Sequence, residues 1–179
     1  MARIFSPVFA ALMLLSSLCG WAGNASAQVI TLQVSGVPGG FTTVPGLTNA
    51  LQVLSADFSV SNTPRGVSTG TAGAVNIQKY SDGGTTALFR QAATGGHAAT
   101  ATITFWKLVA GAYHVNVQLT LSNVAISSFS TAAAQGGSSV ETMSLLYDDI
   151  LVTNYALSSN GVWSAPLTHN WNLVTGVVN

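Results

Sequence analysis

Polar and apolar residues alternate with a period of two through most of the chain beyond residue 27. In HVNVQLTL, Val115, Val117, Leu119 and Leu121 fall on one side and His114, Asn116, Gln118 and Thr120 on the other. That is the pattern of an antiparallel strand with one buried face. Residues 100–109 alternate too, with Ile103, Phe105 and Val109 on one face, and Gly111 between the two runs predicts a hairpin. Further strands are predicted at 29–34, 51–60, 74–79, 142–156 and 167–173. Turn residues punctuate them: Pro38-Gly39-Gly40, Pro45-Gly46, Gly136-Gly137 and Asn160-Gly161. Residues 65–73 (RGVSTGTAG), with Arg65 as their one charge, predict a long exposed loop between two strands.

One stretch breaks the alternation. In TTALFRQAAT (85–94), Leu88 and Ala92, with Phe89 beside them, form a stripe at a spacing of three to four. The pattern predicts one short helix, its start capped by Asp82 or Thr85 and its end closed by Gly95. The expected architecture is mainly β: an antiparallel two-sheet barrel or sandwich with one short α-helix.

The first 27 residues follow a different rule. Arg3 precedes an apolar run, VFAALMLLSSL, and Ala25-Ser26-Ala27 supplies a small-residue cleavage site. These are the three parts of a secretory signal peptide, and the run is shorter than the ~20 residues a membrane span needs. The expected division is a leader at 1–27 and one domain at 28–179, with no membrane anchor after cleavage. A lipidated Cys19 is disfavoured because a large residue, Leu18, precedes it. Cleavage after Ala27 removes the single cysteine, so the remaining chain holds itself together without disulfides.

Charge changes the picture most. Only 6% of the residues are charged and the formal net charge is zero, against about 25% charged residues in ordinary soluble domains. Nucleic-acid binding by phosphate neutralisation is excluded. Roughly a third of the residues after Ala27 are Ser, Thr, Asn or Gln, so solubility rests on hydroxyls and amides. A neutral surface also removes charge repulsion between copies and favours self-association.

Motifs for chemistry are sparse. His97, His114 and His169 are scattered, no G-x-S-x-G elbow is present, and no phosphate-binding or zinc spacing occurs. The expectation is no catalytic residue, no cofactor-binding residue and no metal site. Asp148-Asp149 is the one adjacent acidic pair, and strand neighbours point to opposite faces, which leaves at most a weak calcium ligand at an interface. Trp106, Trp163 and Trp171 read as exposed aromatics, serving as core or interface anchors more readily than as sugar platforms.

Two stretches resemble the Hcp family of type VI secretion tube proteins. In residues 76–111 the resemblance rests on Lys79, Tyr80, Asp82, Gly95 and His97. In residues 117–155 it rests on Ser127-Ser128-Phe129-Ser130, Gly136-Gly137, Glu141-Thr142 and Leu145-Leu146-Tyr147. Trp171-Asn172-Leu173 resembles the close of the last strand, so the likeness spans about residues 51 to 173. It implies a small β-barrel with a short helix that assembles with itself into six-membered rings stacking into tubes. The loop 65–73 would then contact the next ring, and secretion-spike or effector proteins would be further partners. The secretory leader and low charge depart from the family, whose members leave the cytoplasm without a leader. Three readings therefore stand: an exported self-assembling structural protein, secreted or periplasmic; a conventional type VI tube or effector-carrier component; and a secreted β-sheet ligand-binding module.

Overall fold

The computed structural model describes residues 28–40, 42–62, 70–158 and 162–179. The leader 1–27, loop residues 65–69 and the Asn160-Gly161 turn lie outside the described residues. The elements in chain order are β1 (Gln28–Val34), β2 (Leu51–Asp57), β3 (Val60–Ser61), β4 (Thr71–Ala72), β5 (Val75–Tyr80), α1 (Thr85–Thr94), β6 (His97–Val109), β7 (Ala112–Ala132), β8 (Val140–Leu146), β9 (Asp149–Asn154), β10 (Leu167–Asn172) and β11 (Val177–Val178).

Six strands close into a barrel in the order β7-β6-β1-β2-β5-β8, with β8 pairing back onto β7. Closure depends on the length of β7. Its 21 residues pair with β6 along one edge from Ala112 to Ala125. On the other edge Ala125–Ala132 takes β8 and Val117–Ser122 takes β9. The same long strand thus serves the barrel and an open extension, β9-β10-β11. The β6–β7 hairpin turns on Ala110 and Gly111, at φ 50° and 81°. Two consecutive left-handed residues match the twist of the flanking strands.

The predicted strand 142–156 is two strands. β8 and β9 lie end to end against β7, and their registers, Ala125↔Leu146 and Ser122↔Asp149, keep one offset across the break at Tyr147-Asp148. What changes at the break is the outer partner, β5 upstream and β10 downstream. The alternation does shift there: the buried positions run through Met143, Leu145 and Tyr147 and resume at Ile150, one residue out of phase. The predicted strand 51–60 likewise ends at Asp57, and Val60 pairs instead with Ala72 in a two-stranded ribbon. The base of the predicted 65–73 loop is therefore paired backbone.

The helix forms where expected, with a different start. Gly84 is the N-cap and no side chain caps it. Asp82 Oδ1 accepts from the Gly84 N–H at 2.9 Å, and Thr85 Oγ1 accepts from the Asp82 N–H at 2.9 Å, so both candidate caps brace the preceding turn. Gly84 is needed there because a Cβ would lie 2.7 Å from a Leu51 methyl. Gly95 closes the helix in the left-handed region, at φ 65°. Leu88 is fully buried, whereas Phe89 is exposed and meets the edge of Phe129.

The barrel interior is filled by Leu32, Val53, Val75, Ile77, Ala101, Ile103, Leu119, Leu121, Met143 and Leu145, with Ile150 joining from the extension. Each buried aliphatic side chain of this size contributes about 1.5–3 kcal/mol.

Candidate functional site

Two charged side chains stand among these apolar groups. β5 alternates Val75, Ile77 and Lys79 inward, and β8 alternates Glu141, Met143 and Leu145 inward. Lys79 and Glu141 are direct cross-strand partners, both without solvent exposure. The Lys79 ammonium has three acceptors: Glu141 Oε2 at 2.8 Å, Asp82 Oδ1 at 2.9 Å and the Tyr80 carbonyl at 2.8 Å. All three of its protons are used. The other Glu141 oxygen accepts from the Thr85 hydroxyl at 2.6 Å, at the first residue of α1. Burial pushes the Glu141 carboxyl up. Hydrogen bonds from Lys79, Thr85 and Ser81, with the charge of Lys79, outweigh burial and hold it below its ordinary value. The cluster ties β5, β8 and the helix start together at one point of the barrel.

Sequence reading took Lys79, Asp82 and Glu141 as pattern residues and missed that they meet. The signal was available in the alternation itself. A lysine in phase with Val75 and Ile77, and a glutamate in phase with Met143 and Leu145, need each other once the strands pair.

The barrel exterior is a field of neutral hydroxyls and amides. On one face a single row crosses five strands, Thr31, Thr104, Gln118, Thr153 and Thr168, of which Thr31, Thr104 and Thr153 are covered from solvent. Gln118 Nε2 donates to Thr104 Oγ1 at 3.2 Å within it. On another face Ser130, Thr142 and Gln78 share a row across β7, β8 and β5, continued by Ser55 of β2. These rows are where the chain's uncharged polar residues go.

The β3–β4 ribbon leaves the barrel beside the break in the β8–β9 line. Tyr147, buried at the break, donates its hydroxyl to the Gly73 carbonyl at 3.0 Å. A Cβ on Gly70 would lie 3.2 Å from the Trp171 ring, so the ribbon passes close over that indole. Burial pushes the Tyr147 phenol up to about 12. Because the folded value exceeds the unfolded one near 10, this contribution to stability is complete below pH 10 and is lost as pH rises through 12. Alkaline denaturation titrations should show stability falling between those limits. Tyr147→Phe should cost about 1 kcal/mol at neutral pH and flatten that fall.

The remaining candidates are structural. His97 Nδ1 lies 3.0 Å from Asn123 Oδ1, and the Asn123 amide donates to Asp148, so His97 is the donor in its contact. His114 stacks on Trp163, 5.2 Å between centroids. His169 is exposed on β10. The three indoles are half-buried, which corrects the reading of them as exposed. Trp106 Nε1 donates to Thr31 Oγ1 at 2.9 Å, and Trp171 packs on the core. Asp148 sits in the break and Asp149 in β9, where it accepts from Asn170 at 3.2 Å. Among the described residues no His, Cys, Asp or Glu group of three or more is arranged to hold a metal ion.

Residues 31–154, from β1 to the end of β9, match the family model described as Type VI secretion system effector, Hcp. The chain belongs to the Hcp family. Hcp proteins are the tube-forming structural components of type VI secretion and are secreted; the family is not one of enzymes. The fold agrees with solved Hcp structures. A structure described as a type six secretion system protein superposes with a TM-score of 0.77 at 20% identity, covering 86% of this chain and all 100% of the other. Hcp1 from Salmonella typhimurium gives 0.71 at 18%, covering 86% and 99%. The secreted protein Hcp3 from Pseudomonas aeruginosa gives 0.59 at 16%, covering 83% and 98%. At these identities the likeness is one of fold. A search of curated proteins by sequence gives no match.

Proposed function

We propose that this Hcp protein is exported by its leader, cleaved after Ala27, and assembles outside the cytoplasm into six-membered rings that stack into tubes, without catalysing a reaction. The closed barrel whose outward rows are almost entirely neutral carries this reading. The exposed members of those rows, such as Gln78, Ser130 and Thr168, offer copies hydrogen-bonding groups and little repulsion. The C-terminal extension and the β3–β4 ribbon supply features beyond the barrel for contact. Six-fold closure and stacking come from the resemblance to Hcp proteins, and export comes from Arg3, the apolar run and Ala25-Ser26-Ala27. A secretion spike or carried effectors are further partners on the same ground. Periplasm and extracellular space are both destinations that the leader serves.

In this reading the loop 65–73 bridges rings. Deleting residues 64–69 leaves the Val60–Ala72 pairing in place. Rings should persist, tubes should disappear, and the thermal midpoint of the subunit should barely move, since the Gly/Ser/Thr composition of 65–73 predicts an exposed loop and such loops tolerate shortening. Negative-stain images of the deletion variant check this, and tubes of ordinary length would place stacking elsewhere. Intact mass of the protein made in cells tests export. Retention of Met1 in cytoplasmic material would favour the conventional tube component instead.

A further inference from the structure

The lateral contact between copies has a candidate on each side of the molecule. The extension ends in β11, paired only with β10 among the described residues, so its outer backbone edge is open. It presents apolar side chains to solvent: Val177 is 48% exposed, Val178 63%, and Val174 in the preceding turn 73%. An open edge carrying exposed valines is a template for pairing with another chain. At the β6–β7 hairpin lies an apolar groove of about 430 Å³, walled by Val44 and Leu47 of the β1–β2 loop and by Trp106 and Tyr113 of the hairpin.

One molecule cannot fill its own groove. Val178 pairs with Trp171, Trp171 with Ile150, and Ile150 with Leu121, so β11 sits three strands away from β7 at the Leu121 level. Tyr113 is eight residues further along β7. At ordinary strand spacings the two features are about 14 Å apart sideways and about 27 Å apart along the strands. Two complementary patches at separate places on one chain generate a head-to-tail contact, which closes into a ring when the rotation allows.

We infer that the occupant of the Val44–Leu47–Trp106–Tyr113 groove is the β11 edge of a second copy, with Val177 and Val178 as its anchors. This rests on the ring-forming reading above and specifies its interface. β11 lies beyond the 31–154 span matched by the family model.

Paired cysteines test it. The full chain carrying Cys19→Ser has no other thiol. Adding Leu47→Cys and Val178→Cys together, or Leu47→Cys with Val177→Cys as a second spacing, should give on oxidation a ladder of covalent oligomers that stops at a fixed size. Mixing the two single variants should stop at a covalent dimer. On denaturing gels reduction should return every species to monomer, and the unoxidised double variant should form the same rings as the parent, which separates the native contact from misfolded aggregates. Rings visible in the microscope with no cross-link in either pair would overturn this interface while leaving ring formation standing. A chain that stays monomeric at high concentration would overturn both.

Discussion

Replacing Lys79 with methionine should lower stability by about 3–5 kcal/mol, because it strands Glu141 in the barrel without its cation. The side chain has no solvent exposure and its three acceptors are all within 2.9 Å. For a domain of this size the thermal midpoint should fall by about 6–20 °C. Glu141→Gln should cost a similar amount by leaving the ammonium with Asp82 and a carbonyl. The double substitution Lys79→Met with Glu141→Leu should recover most of the loss, since an apolar pair of similar volume needs no desolvation. Strict additivity of Lys79→Met and Glu141→Leu, each also measured singly, would show that the charges do not interact. The acid limb follows from the same geometry. Glu141 is depressed below its ordinary 4.5, so its contribution is complete above about pH 5 and is lost as pH falls through the folded value. Glu141→Gln should flatten the loss of stability on acidification.

Leu121→Ala should be the most costly apolar truncation at the junction of barrel and extension, at about 2–5 kcal/mol. Leu121 is fully buried and lies between Ala101 of β6 and Ile150 of β9. Its neighbour on the barrel side is already small, so the space it leaves is not filled by a rotamer change there. Thermal unfolding monitored by circular dichroism should show the loss, whereas Val174→Ala, at a position 73% exposed, should stay within about 0.5 kcal/mol of the parent. A loss under 1 kcal/mol at Leu121 would mean that packing at β7 does not hold the barrel and the extension together.

The contrast between these two sites shows what alternation reveals and what it hides. The inward face of β7 was legible as Val117, Leu119 and Leu121 because side-chain direction has a period of two and the core is apolar. The helix was legible because Leu88 and Ala92 keep a different period between two glycine pairs. The full length of β7 was not legible. Beyond Val124 and Ile126 the outward residues are serines, and the strand continues because β8 pairs with it, a tertiary cause. The break at Tyr147-Asp148 was legible in principle, since the apolar positions slip by one residue between Tyr147 and Ile150, and was overlooked because both halves are apolar enough to read as one strand. β11 was hidden because two residues are too few for a pattern. The ion cluster was legible in principle, as two charges in phase with core residues, and was overlooked because each lies in a separate strand.

Electron microscopy of the protein recovered from culture supernatant, paired with sequencing of its N-terminus, tests the central claim most directly. The account predicts a chain beginning at Gln28 that forms six-fold rings and stacks of rings. A monodisperse monomer, or an intact chain beginning at Met1 and confined to the cytoplasm, would contradict it.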